Sequence, residues 1–118
     1  MSDLHNLENE LNQLINAGSI LEAFDRFYAD DVVMFELDGN HYDGKVTNRA
    51  REEAFIASVE TWHGVTLHGV GVGDDVTYSE WTFDFDKKGE GRQTFRQVAA
   101  RRWRDGQIVE ERFFAMAG

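Results

Sequence analysis

The chain has 118 residues, with 22 acidic against 12 basic side chains, a formal net charge of −10 and no cysteine. This length predicts one domain, 1–118, able to bury a core, and the missing cysteines exclude disulfides, thiolate metal sites and a cysteine nucleophile. The charge argues against nucleic acid as a partner, no run approaches the roughly 20 apolar residues of a membrane span, and MSDLHNLENE lacks the regions of a secretion signal, so a cytoplasmic protein is expected.

Leu4, Leu7, Leu11, Leu14 and Ile15 recur at helical spacing, predicting a helix over 4–15 that Ser2 caps and Ala17-Gly18 ends. Ser19, with Glu22 at the capping-box position, opens a second helix whose apolar face is Leu21, Phe24, Phe27 and Tyr28. Asp30-Asp31 breaks it, and the β-branched and aromatic run 32–37 reads as a strand. Asp38-Gly39-Asn40 and Asp43-Gly44 are turn sequences. Thr47 or Asn48 caps a third helix over 49–60, with Ala50, Ala54, Phe55, Ala57 and Val59 facing inward.

The period then changes to two. Strands are expected over 62–72, 76–85, 92–104 and 107–116, joined at Gly73-Asp74-Asp75, at 87–91 and at the hairpin dipeptide Asp105-Gly106. Gly69, Gly71 and Gly73 should loosen the first of these. Their spacing matches a nucleotide loop only in spelling, because no helix follows. Helices first and a meander last define an α+β fold, with the helices on one face of a curved sheet.

Several landmarks then converge. They are Ala17-Gly18 between the first two helices, Tyr28-Ala29-Asp30-Asp31 before the first strand, Tyr42-Asp43-Gly44 before the third helix, Trp81, and the run from Gln97 to Phe113. Over nearly the whole chain this pattern resembles the SnoaL-like branch of the nuclear transport factor 2-like superfamily. The resemblance implies a cone-shaped, curved antiparallel or mixed sheet wrapped around N-terminal helices, the ketosteroid isomerase-like α+β barrel. It also implies a ligand pocket inside the cone and a homodimer through the outer sheet face. The same scaffold hosts isomerases, cyclases, dehydratases, epoxide hydrolases and non-enzymatic modules, so activity must be argued from the site.

Strand alternation sorts the charges between the two faces. Residues 1–44 hold ten acids and one base, Arg26, whereas 92–112 hold six of the twelve basic residues. Arg96, Arg102, Arg104 and Arg112 fall on the outer face, within reach of Glu80, Glu110 and Asp84. Phe95, Gln97, Ala99, Arg101 and Trp103 fall on the inner face, as do Glu111 and Phe113. An inward Arg101 and an inward Glu111 should pair, since an isolated buried charge is very costly.

Glu36 falls where ketosteroid isomerase-like relatives carry their catalytic carboxylate. In an apolar pocket near Met34 and Trp81 its pKa would rise and it would act as general base. The oxyanion tyrosine and second aspartate of those relatives fall at Leu11 and Ala99, which donate no hydrogen bond. The Asp-Arg-Asp set of limonene epoxide hydrolase-like relatives falls at Phe83, Trp81 and Phe113.

What remains is a polar cluster of Glu36, Gln97, Arg101 and Glu111, walled by Trp62, Trp81, Phe95, Trp103 and Phe113. Arg101 is placed to bind a carboxylate, phenolate or enolate oxygen, and Gln97 to orient a carbonyl. The competing reading of Arg101–Glu111 is an internal salt bridge that fixes the cone. His41 should rim the mouth, and it and His68 are acid–base candidates near neutral pH. The histidines 5, 41, 63 and 68 match no zinc spacing. The expected protein is a cofactor-independent, metal-free enzyme of isomerase, cyclase or lyase type acting on a small apolar carbonyl compound. The alternative is a non-catalytic binding or dimerisation module of the same fold.

Overall fold

Leu4–Asn16 forms helix α1 with its leucine stripe against the sheet, and Asp3 caps it by accepting the His5 and Asn6 amide hydrogens. The computed structural model describes residues 3–116, and the expected cap Ser2 lies outside them. α1 ends at Ala17, and Gly18 follows at φ 85°, a left-handed conformation that favours glycine. Helix α2, Ile20–Phe27, begins after Ser19 as expected, but the Ser19 hydroxyl makes no capping bond.

Strand β1, Tyr28–Phe35, follows α2 directly. It starts four residues ahead of the expected position and takes in Tyr28, Asp30 and Asp31, with both aspartates exposed. A three-residue strand β2, His41–Asp43, pairs back on β1 through the 36–40 turn, where the sequence suggested only turns. Helix α3 runs Lys45–Ser58, because Gly44 rather than Thr47 or Asn48 occupies its N-cap. Asn48 is instead buried, donating its amide to the Tyr42 and Gly44 carbonyls. Ala50, Ala54 and Ala57 are exposed, against expectation, and the inward face carries Asn48, Glu52, Phe55 and Ile56. Large side chains set the phase of this helix, since burying Phe55 and Ile56 removes far more apolar surface from water than burying alanines.

The remaining strands are β3, Val59–Val72; β4, Val76–Lys87; β5, Gly91–Arg104; and β6, Gln107–Ala115. The sheet is six-stranded, in the order β2-β1-β6-β5-β4-β3. It is mixed, since β1 and β6 are parallel while every other pair is antiparallel, and curved without closing. Asp105 (φ 53°) and Gly106 (φ 78°) make the tight β5–β6 hairpin that their sequence specifies. β3 slips register against β4 at three places, one of them between Leu67 and Gly69. Leu11, Phe24, Phe27, Val32, Met34, Trp103 and Ile108 form the core between helices and sheet.

The outer-face arginines are paired locally: Arg96 with Glu80, Arg92 with Asp84, Arg102 with Asp75 and Glu110, and Arg112 with Glu110. Arg104 reaches Asp31 instead. Among the described residues no helix is long and apolar enough to cross a membrane.

Candidate functional site

Between the helices and the inner sheet face lies a cavity of about 240 Å³. Its wall is aromatic: Trp81 stacks on Phe83 at 5.6 Å, Phe83 meets Phe95 at 5.6 Å, and Phe55 and Phe113 complete the enclosure. Period-two alternation on β4, β5 and β6 points these rings inward together. Polar groups enter from three directions, namely Arg101 with Glu111, Glu36 with Arg51, and Glu52.

Arg101 and Glu111 are register partners on β5 and β6 and are both nearly fully buried, 3% and 1% exposed. Arg101 Nε donates to Glu111 Oε2 at 2.7 Å, while Nη1 donates to Glu8 Oε2 at 2.7 Å and to Asn12 Oδ1 at 3.1 Å. Arg101 Nη2 takes part in none of these bonds. Tyr28 donates its hydroxyl to Glu111 Oε2 at 2.6 Å. Glu8, with no exposed surface, also accepts from Thr77 and Ser79, and Trp103 Nε1 donates to Thr77.

One guanidinium thus holds two buried carboxylates, and the surrounding hydroxyls and amides satisfy most of what remains. Burial works against charge on Arg101, but Glu8, Tyr28 and Glu111 outweigh it and hold the guanidinium above its usual range. Burial pushes the Glu111 carboxyl up, opposed by Arg101 and by the Tyr28 and Arg101 hydrogen bonds. The Tyr28 phenol is raised well above its ordinary value by burial and by Glu111.

Glu36, expected as the proton-transfer group, does line the cavity, but its Oε1 lies 2.8 Å from Arg51 Nη2 and its side chain is 30% exposed. Arg51 also stacks on the Tyr42 ring at 3.7 Å and donates to Asn48. Glu36 is thus an ion-paired group where β1 runs out, rather than a carboxylate isolated among apolar residues.

Glu52, one residue on from Arg51, is that isolated carboxylate. It faces the cavity from α3, and among the described residues no hydrogen bond acts on it. Burial, followed by the charges of Glu111 and Glu36, raises its pKa to about 7. Its side chain is half-buried, and it is one of the residues that line the cavity.

The other expected residues divide. Gln97, Phe95, Trp81, Phe113, Arg101 and Glu111 all line the cavity. Ala99 and Met34 are buried on the inner face without reaching it, and Trp103 packs edge-on against Phe27 in the core. Trp62, 39% exposed, packs on Phe55 and Phe85 and edges a separate depression beside Ile15 and Ile56. His41 is exposed in β2, 3.9 Å from Asp43 and stacked near Phe35, away from the cavity. His68 bonds the Thr82 hydroxyl on the strand surface, and His63 pairs with Asp86.

Glu8, Asn12, Tyr28, Thr77, Ser79 and Glu52 were not singled out from the sequence as polar site residues. Glu8 and Asn12 flank Leu11 on the inward stripe of α1, and Glu52 shares the stripe of Asn48, Phe55 and Ile56, so helical spacing alone carried the signal.

Helices packed into a curved, open mixed sheet around a half-polar cavity define the nuclear transport factor 2-like class of α+β folds. Within it the chain belongs to the SnoaL-like domain family, whose model matches residues 9–111. A SnoaL-like polyketide cyclase candidate from Mesorhizobium loti superposes with TM-score 0.87 at 26% identity, covering 96% of this chain and 99% of that one. A protein of unknown function with a nuclear transport factor 2-like fold from Burkholderia pseudomallei gives TM-score 0.81 at 14% identity, over 98% and 92%. AclR, a hydroxylase candidate from Streptomyces galilaeus, gives 0.76 at 15% identity, over 95% and 87%. No curated protein sequence matches the chain.

Proposed function

We propose that the cavity is a cofactor-independent acid–base site that moves a proton on a small, largely apolar compound next to a carbonyl group. The observation that carries this reading is Glu52, an unpaired carboxylate against an aromatic cavity, titrating near 7. A base is most effective when its pKa lies near the working pH. The Gln97 amide holds the carbonyl end, with Arg101 Nη2 as a further donor on the same wall, while Glu36 and Arg51 close the site beside Glu52. The guanidinium of Arg101, already shared by two carboxylates, offers a hydrogen-bond donor with little net positive field, which suits a neutral carbonyl.

The test is deuterium exchange into the methyl group of acetophenone in heavy water, followed by NMR. The protein should accelerate exchange, with a rate rising through pH of about 7 as Glu52 ionises, and Glu52→Gln should reduce it by about 10²–10⁴-fold. Ketone binding that shifts protein resonances without any exchange would instead make this a binding module.

The partner in this reading is a second copy of the chain, docked on the outer sheet face. Val98 and Phe114 are register partners there, and Tyr78 lies diagonally across from Val98 on the same face, with Tyr78 43% and Phe114 53% exposed. Apolar side chains grouped on an otherwise paired, charged face are the usual mark of an interface. Sedimentation at micromolar concentration should give a particle of twice the chain mass, and Phe114→Glu should halve it. A wild-type monomer would refute the dimer.

A further inference from the structure

We infer that the cavity takes a small organic cation: a protonated amine that also carries a carbonyl oxygen. The first ground is a charge census. Glu36, Glu52 and Glu111 line the cavity and Glu8 sits behind it, four carboxylates in all, against two guanidiniums, Arg51 and Arg101. Arg51 is matched by Glu36, and Arg101 is shared by Glu8 and Glu111. Two formal negative charges are therefore uncompensated, and neither guanidinium has charge to spare for an anionic ligand. A carboxylate or phosphate entering this space would meet repulsion from Glu52 and Glu111 without a counter-ion.

The second ground is independent of charge. Two polar atoms of residues in the cavity wall, each residue 1% exposed, lack any hydrogen-bond partner among the described residues: Glu111 Oε1, an acceptor, and Trp81 Nε1, a donor. Buried polar groups are seldom left unpaired. Both atoms have almost no accessible surface; with a side-chain adjustment on binding, an ammonium N–H satisfies the first and a carbonyl oxygen the second. Trp81 faces Gln97 across β4–β5 and Glu111 faces Arg101 across β5–β6. The two needs are therefore four residues apart along β5, and they fall on different parts of the ligand. The aromatic wall completes the fit, because ring faces attract cations.

This inference concerns what the cavity binds, and turnover is not needed for it. Where turnover occurs, the ammonium offsets the negative charge left on the substrate when Glu52 accepts its proton. The titratable and charged groups around Glu52 are Glu111 from β6, Glu36 at the end of β1, Tyr28 at its start, Arg51 from its own helix and Arg101 from β5. None of these supplies an unmatched positive charge, so ionised Glu52 is left for the ligand.

The probes share one ketone and differ in charge: para-aminomethyl-acetophenone, para-hydroxymethyl-acetophenone and para-acetylbenzoate. By NMR titration at about pH 8 the amine should bind at least about tenfold tighter than the benzoate, with the alcohol between them. Amine affinity should weaken several-fold towards about pH 6, where Glu52 is protonated, while the alcohol hardly changes. Glu52→Gln should flatten that pH dependence, and the wild-type series decides the matter alone should the variant fail to fold. Equal binding by all three, tightest binding by the benzoate, or no binding by any of them would overturn the inference. Acetophenone exchange without amine preference would sink this inference and leave the acid–base reading standing, and amine preference without exchange would do the reverse.

Discussion

Arg101→Met is expected to cost about 3–5 kcal/mol of folding stability at neutral pH, measured by urea unfolding, because it strands two buried carboxylates. Glu8 and Glu111 both point at the guanidinium, as does the Asn12 carbonyl oxygen. Methionine fills the volume but supplies no donor, so the loss is electrostatic rather than a cavity effect. For a chain whose total stability is of the order of 5–15 kcal/mol, this removes about a fifth or more.

The deficit should shrink towards about pH 5, where the stranded carboxylates take up protons instead of remaining charged. Adding Glu8→Gln and Glu111→Gln should recover much of it, since buried ion pairs are weak stabilisers once both signs are removed. A loss below about 1 kcal/mol would mean that water reaches the cluster and screens it.

Glu52→Gln is expected to act in the opposite direction and stabilise the fold. The folded-state pKa of Glu52, about 7, lies above its ordinary value of 4.5. The folded state therefore binds the proton more tightly, and its stability falls as pH rises from 4.5 through 7. Above 7 the full cost of keeping the carboxylate ionised is present. The interval corresponds to about 3 kcal/mol, and water entering the cavity reduces it, so the gain at about pH 8 should be about 1–3 kcal/mol. Near pH 4.5 the variant and the parent should converge. The same substitution should slow proton exchange by about 10²–10⁴-fold, so one residue trades stability against activity. A destabilised Gln variant at about pH 8 would mean that Glu52 has a buried partner after all, removing the basis of the proposed base.

The sheet was largely legible because each of β3 to β6 carries period-two alternation bounded by glycine or aspartate turns, and the inward placement of Arg101, Glu111, Gln97 and Trp81 follows from that alternation. β2 was missed because three residues are too few to show a period. The face of α3 differs from expectation because Ala50, Ala54 and Ala57 were placed inward with Phe55, whereas Ile56 takes that side. Glu8 and Glu52 were passed over for one physical reason: on a helix a charged residue is ordinarily solvated, and only its phase relative to Leu11 or Phe55 shows that it points inward. Glu36 lines the cavity, but its partner Arg51 lies on a helix whose start was expected four residues later, and no sequence spacing links the two.

The parallel pairing of β1 with β6 has a consequence for how the protein is made. Val33 meets Glu110 and Phe35 meets Arg112, so β1 must wait for a strand that is synthesised long after it. Glu8 likewise waits for a guanidinium 93 residues downstream. Until synthesis reaches β6, β1 and β5 each carry an unpaired strand edge, and until it reaches Arg101 on β5 the buried Glu8 has no counter-ion. Such late, long-range closure slows folding and exposes intermediates to aggregation. Nascent chains stalled short of β5 should therefore be held by chaperones and digested by proteases that leave the finished protein intact.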